Sequence, residues 1–216
     1  MRIITGSARG TKLESPAGET TRPTSDRVKE AVFSVLQFDI EGSAVLDLFA
    51  GSGQMGLEAL SRGAEKATFV DISREAVDAI TANARKTHLI AKCRIISTGF
   101  SPFLRGEAGR EKYDLIFLDP PYDSKLLPKA LRSIADARLC SSWTTLVCET
   151  DCDIPPKATR LRKDEDAAAE YIFCDVFGED EELRKKYRTL KSTLYGRTRI
   201  TLLQPQPEGE DAEANE

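Results

Sequence analysis

The chain has 216 residues, 40% of them hydrophobic and 31% charged, with a formal net charge of −4, five cysteines and one histidine. That is enough apolar material to bury the core of one compact domain with small additions. No apolar run approaches bilayer length, the start Met1-Arg2-Ile3-Ile4-Thr5-Gly6 lacks a signal peptide's apolar region, and the cysteines at 93, 140, 148, 152 and 174 with His88 lack metal-ligand spacing. These features exclude a helical membrane protein and a zinc module, and a cytoplasmic protein without metal is expected.

In chain order, Arg2 to Gly6 and Gly10 to Leu13 read as two short strands of a hairpin carrying Arg9 and Lys12. Pro23 then stops the chain, and Thr24 or Ser25 caps a helix whose Val28, Val32, Val35 and Leu36 form one apolar stripe. Arg22, Arg27 and Lys29 lie at its beginning, where they either meet a polyanion or simply solvate the surface. From Ala44 the pattern alternates between buried strands and amphipathic helices. A strand to Phe49 is followed by a helix to Arg62 and a strand to Asp71. A second helix runs from Arg74 to Thr87, capped by Ser73, and a third strand from Cys93 to Ser97. Ser101 to Leu104 reads as a short turn, Gly106 to Lys112 as a polar loop, and Tyr113 to Leu118 as the fourth strand. A helix with Leu126, Leu127, Ala130, Leu131 and Ile134 leads to a fifth strand, Thr145 to Glu149. Continuous apolar strands separated by helices mean a parallel sheet covered on both faces, which binds ligands at its carboxyl edge. Tyr187 to Leu194 and Thr198 to Leu203 read as a closing antiparallel hairpin.

The net charge hides a segregation. The tail after Gln204 carries five acids and no base, Arg184 to Arg199 carries seven bases and no acid, and the first 29 residues hold six bases against three acids. Local fields of this kind matter more to a partner than the total, although the basic run reads equally well as a solvated face. The tail has little to bury and is expected to be disordered.

Two clusters carry chemistry. Asp47-Leu-Phe-Ala-Gly-Ser-Gly53, with Gly56, is a strand running through a glycine-rich turn into a helix, the arrangement that cradles a nucleotide-like ligand. Asp71 ends the following strand, placed to accept from both hydroxyls of a ribose. Those features suit a dinucleotide site and a methyl-donor site alike. Asp119-Pro120-Pro121-Tyr122, at the exit of the fourth strand, separates them: a carboxylate, two rigid prolines and an aromatic ring suit gripping a flat base by its amino group.

These segments, together with Arg22-Pro-Thr-Ser-Asp-Arg-Val-Lys-Glu-Ala-Val-Phe33 and Gly56-Leu-Glu-Ala-Leu-Ser-Arg-Gly63, resemble the RsmD-type bacterial 16S rRNA (guanine-N2)-methyltransferases. The likeness runs from about Arg2 to Glu149 and returns at Lys186 to Leu203. It implies an α/β fold of the Rossmann-like class I S-adenosylmethionine-dependent type. That fold is a mainly parallel seven-stranded sheet with a C-terminal antiparallel hairpin and an N-terminal hairpin and helix. It divides the chain into an RNA-contacting extension (1–40), a methyltransferase domain (41–204) and the acidic tail (205–216).

The implied cofactor is S-adenosylmethionine, held by Asp47, Phe49, Ala50, Gly51, Ser52, Gly53, Asp71, Ile72, Gly99, Phe100 and Asp119. Asp119, Pro120, Pro121 and Tyr122 would carry catalysis, with Tyr122 stacked on the base, and Arg9, Arg22, Thr24 and Arg27 would meet RNA. The implied partner is 16S rRNA in a partly assembled 30S subunit, with the enzyme a monomer. Two departures stand out. Gly99 occupies the place where an acidic or amide residue often holds the adenine amino group, leaving that task to backbone around Phe100, and the stretch from about Arg162 to Leu183 exceeds what the family needs. The residues alone leave open an adenine-N6 DNA or RNA methyltransferase, an NAD(P)-dependent oxidoreductase, and a non-catalytic RNA-binding module using Arg184 to Arg199.

Overall fold

The computed structural model of the chain describes residues 1–16, 25–121, 125–151 and 175–206. Ser25 starts the first helix, its hydroxyl accepting from the Val28 N–H at 3.3 Å to cap α1, Asp26–Val35. Seven strands then build one sheet: β1 (Ala44–Asp47), β2 (Lys66–Asp71), β3 (Cys93–Ser97), β4 (Tyr113–Leu118), β5 (Cys140–Asp151), β6 (Tyr187–Tyr195) and β7 (Thr198–Pro205), in the order β3-β2-β1-β4-β5-β7-β6. The first five are parallel, and β7 and β6 close the sheet antiparallel beyond β5. This is the expected architecture, and the order reverses between β1 and β4.

Period-two alternation divides the strands between two cores. Val45, Phe69, Phe117, Val147 and Ile200 pack under α1, α2 (Gln54–Ser61) and α3 (Arg74–Lys86). Leu46, Val70, Ile116, Leu146 and Leu203 pack under α4 (Phe100–Glu107) and α5 (Leu126–Ala137), joined by Leu183 of the short α6 (Glu181–Lys185). Because both faces are covered, β1 is buried along its whole length, which is why its sequence shows no alternation.

Several expectations need correcting. The N-terminal hairpin is reduced to one antiparallel bridge, Arg2 to Lys12, because its backbone turns aside to bond α2. Glu58 accepts from the Ile4 and Thr5 N–H groups at 2.8 and 3.0 Å, and the Ser61 hydroxyl accepts from the Ala8 N–H at 2.9 Å. Val35, at the last position of α1, is exposed, while Phe33 takes a place in the buried face. Lys29 is wholly buried, paired with Glu58 at 3.6 Å and donating to the Arg2 carbonyl, so it is withdrawn from any polyanion. Burial pushes its ammonium below the usual lysine range, against the pull of Glu58.

The segment read as a turn at Ser101 to Leu104 is the helix α4, with Pro102 tolerated in its first turn and Phe103, Leu104 and Glu107 facing the core. Strand β5 begins earlier than its apolar run, with a register shift where the Thr144 hydroxyl donates to the Tyr113 carbonyl at 2.7 Å. In the basic run, Arg184 pairs with Asp175 and Glu181, Lys185 with Glu182, and Arg197 with Asp151, so much of its charge is answered inside the protein. Val176 and Phe177 bury in the second core, whereas residues 152–174 and the tail from 207 onward lie outside the described residues.

Candidate functional site

The site is assembled by backbone bonds at the carboxyl edge, where the strand order reverses. Leaving β1, the chain bonds both neighbours in turn: the Leu48 N–H reaches the Phe117 carbonyl of β4 and the Ala50 N–H the Val70 carbonyl of β2, each at 3.1 Å. It then folds tightly through Gly51 (φ 53°) and Gly53 (φ 76°), left-handed conformations that a side chain disfavours, with a 2.6 Å bond from the Gly53 N–H to the Ala50 carbonyl. A Cβ at Gly53 would press on Ile80 at 3.2 Å, and one at Gly56 would enter the space of the Phe69 ring. The third glycine thus serves helix-to-strand packing, and the first two keep the loop backbone bare.

Two carboxylates brace this loop. Asp71 Oδ2 accepts from the Gly51 N–H at 2.8 Å and Oδ1 from the Ser73 N–H at 2.9 Å, which fixes the carboxylate at the crevice with lone pairs left for ligand hydroxyls. Asp47 Oδ2 accepts from the Gly56 N–H at 3.0 Å beneath the loop. Burial raises the Asp47 carboxyl to about 7, partly opposed by the Gly56 bond and slightly reinforced by Asp71. A buried carboxylate held this way gains from a cation, which is what the ammonium of a methionine portion would supply.

Gly99 caps α4, so the first N–H groups of that helix open at the same edge, and the Phe100 ring lies 5.5 Å from that of Phe49. Ile72 stands exposed beside them. Gly99, Phe100, Ile72, Asp71 and the Phe49 to Gly53 loop therefore form one continuous wall. Bare glycine backbone, a carboxylate for hydroxyls and a raised carboxyl for an ammonium fit the expected S-adenosylmethionine.

Across the reversal, Asp119 and Pro120 follow β4 directly beside β1, and Pro121 is exposed. Burial first, then the charges of Glu149 and Asp47, hold the Asp119 carboxyl well above the usual carboxylate range. Tyr122 lies outside the described residues, as do Arg22 and Thr24. Arg27 is exposed on the first turn of α1, and exposed Arg9 lines a cleft of about 450 Å³ with Arg62, Glu30, Ser34 and Gln37.

Sequence reasoning misses three supports. Asn83 on α3 is fully buried, donates to the Ser52 and Glu14 carbonyls at 2.9 Å each and accepts from the Glu14 N–H at 2.8 Å, clamping the glycine loop to the N-terminal segment. Glu58 gathers Lys29, Arg62 and the hairpin backbone. Glu149, buried at the end of β5, bears on Asp119. A polar residue inside an apolar stripe is the one local signal that could have marked Asn83.

A family model described as conserved hypothetical protein 95 matches residues 1–175. YlbH of Bacillus subtilis is 37% identical over 155 residues, covering 71% of this chain and 84% of that protein. The ribosomal RNA small subunit methyltransferase D of Haemophilus influenzae is 35% identical over 156 residues, covering 72% of this chain and 81% of its own. Among solved structures, yhhF from Escherichia coli superimposes with a TM-score of 0.73 at 26% identity, covering 96% of this chain and 99% of that one.

Proposed function

We propose that this chain, which belongs to the conserved hypothetical protein 95 family, transfers a methyl group from S-adenosylmethionine to the exocyclic N2 of a guanine in small-subunit ribosomal RNA. The observation that carries the reading is the adjacency of the glycine loop after β1 and the Asp119-Pro120 exit of β4 across the strand-order reversal. One supplies a place for the methyl donor and the other a grip for a base amine, so both reactants meet at one crevice. A dehydrogenase would use the first half of that site and leave the second without purpose.

Bound in the loop, S-adenosylmethionine supplies a methyl already activated by its sulfonium. What remains for the protein is alignment and charge complementarity. The guanine amine is a poor nucleophile because its lone pair is spread into the ring. Asp119 and the Pro120 carbonyl accept from its two hydrogens and favour the pyramidal form that attacks. After transfer the N2 proton passes to Asp119, whose proton affinity is raised by its burial. Residues 1–40 serve as the RNA-contacting extension of the 41–204 transfer domain, with Arg9, Arg22, Thr24 and Arg27 at the phosphates and Tyr122 stacked on the extruded base.

The direct test is transfer of labelled methyl to small-subunit RNA. The purified protein is expected to bind the cofactor saturably and to label RNA better in a partly assembled subunit than free in solution. Cofactor binding with no transfer to either form would refute the reading. Arg27→Ala is expected to weaken RNA binding and reduce the slope of log K against log salt by about 0.7 to 0.9, the share of one phosphate contact. An unchanged slope would remove α1 from the RNA surface.

Cofactor affinity is also expected to depend on pH. With the Asp47 carboxyl at about 7, acid protonates it and removes the charge that holds the ammonium. Affinity should hold above pH 7 and fall toward roughly tenfold per unit well below it, because each pH unit costs about 1.4 kcal/mol of deprotonation. Folding runs the other way for this group. Its raised value means that its contribution to stability is fully present below the unfolded carboxylate value and is lost as pH rises through about 7. Loss of affinity at mild acid is therefore not loss of fold through Asp47, and a calorimetric titration that shows no change from pH 8 to 5.5 would contradict its role.

A further inference from the structure

Alternation along the strands sets three carboxylates on one face at the carboxyl edge. Val45, Phe117, Val147 and Ile200 share the core under α1 to α3, and the period of two places Asp47, Asp119 and Glu149 on that same face. The parallel register pairs Phe117 with Val147 and Leu118 with Cys148, where β4 ends, and continuing it by one residue would set Asp119 beside Glu149 at one strand spacing, about 4.8 Å. Glu149 is 6% exposed and pairs across β7 with Ile200, which fixes its backbone. The electrostatic effect of Glu149 on Asp119 agrees with two carboxyl groups facing a common space.

Nothing in the transfer itself calls for a second carboxylate beside the first, but the choice of base does. The Watson–Crick edge of guanine carries two adjacent donors, N1–H and the N2 amine, and two side-by-side acceptors complement it. Adenine offers an amine beside a bare N1 acceptor, which would face the second carboxylate with like polarity. A site that sets acceptor against acceptor rejects the wrong ligand strongly. We propose that Glu149 selects guanine, its carboxylate accepting from the base N1–H while Asp119 accepts from the exocyclic amine. This assignment rests on the guanine-N2 reading and supplies the discrimination between guanine and adenine that the motif alone lacks.

A third acceptor at the same edge points to a donor-bearing ligand. Gln54 opens α2 one turn ahead of Glu58, on the helix face turned toward α1 and the N-terminal segment. It is 8% exposed, and its amide oxygen has no hydrogen-bond partner among the described residues. A buried acceptor of this kind is satisfied when a donor arrives.

The experiment uses small-subunit particles carrying guanine or 2-aminopurine at the methylated position, located first by mass spectrometry. 2-Aminopurine keeps the 2-amino group and has no N1–H. The wild-type protein is expected to favour guanine by about 100-fold or more in single-turnover rate, the scale of one good paired contact. Glu149→Gln, whose amide can donate to a bare N1, is expected to narrow that preference at least about tenfold while cofactor affinity stays at its wild-type value and the melting midpoint holds or rises. Equal losses on both templates, or an unaltered preference, would overturn the role of Glu149 and leave guanine-N2 transfer standing. A wild-type protein that methylates neither template would overturn both together.

Discussion

Replacing Asp119 by alanine is expected to lower the single-turnover rate of methyl transfer by about 1,000-fold, the scale of losing a positioned acceptor and proton-taking group, while cofactor affinity stays near that of the wild type. The split follows from where the residue stands. The loop, Asp47, Asp71 and the start of α4 form the proposed cofactor wall on the β1, β2 and β3 side, and Asp119 leaves β4 on the other side of the reversal. Stability gives an independent check. Asp119 is half-buried beside Glu149 and Asp47, surroundings that disfavour its charged form, so its removal sacrifices no favourable pairing and the melting midpoint at neutral pH should hold or rise. Parallel loss of transfer and cofactor binding would show that Asp119 belongs to the cofactor wall and not to the base.

Gly6→Ala is expected to cost about 3 kcal/mol of stability, the sum of a left-handed strain and a backbone collision. Gly6 has φ 89°, and a Cβ there would overlap the Ser61 carbonyl at the end of α2. Its neighbours depend on that close approach. Ser7 N–H reaches the Ser61 carbonyl at 2.8 Å, the Ser61 hydroxyl reaches the Thr5 carbonyl at 2.6 Å, and the Ile4 and Thr5 N–H groups reach Glu58. Undocking the segment would also deprive buried Lys29 of the Arg2 carbonyl. In a chain of this size the midpoint should fall by roughly 6 to 12 °C. Gly10 has a similar φ of 84° with nothing within 4 Å of a Cβ, so Gly10→Ala should cost only the strain, about 1 to 2 kcal/mol. Similar losses for the two variants would contradict the close packing of the hairpin on α2.

What was legible in the sequence was local. The glycine loop, Asp71 and Asp119 each stand within a few residues of a buried strand, and strand, turn and helix chemistry announces them without knowledge of neighbours. Tertiary context decided the rest. Lys29 reads as a surface charge at a helix start and is instead sealed in by Glu58, twenty-nine residues away. Asn83 shows in sequence only as a polar residue inside an apolar stripe, and its value lies in two partners, Ser52 and Glu14, brought from separate segments. Glu149 becomes informative only when the parallel register sets β5 beside β4. Helix α4 was masked by Gly99 and Pro102, which signal a turn when read alone and a helix start when the following Phe103 and Leu104 find a core to enter.

In the proposed reaction a methyl donor and a guanine amine meet between the β1 loop and the β4 exit. Its most direct test is nucleoside mass spectrometry of small-subunit RNA after incubation of undermethylated, partly assembled particles with the protein and isotopically labelled S-adenosylmethionine. Label is expected in N2-methylguanosine at one position, and none with the Asp119→Ala protein. Label in N6-methyladenosine, or equal label with and without Asp119, would contradict it.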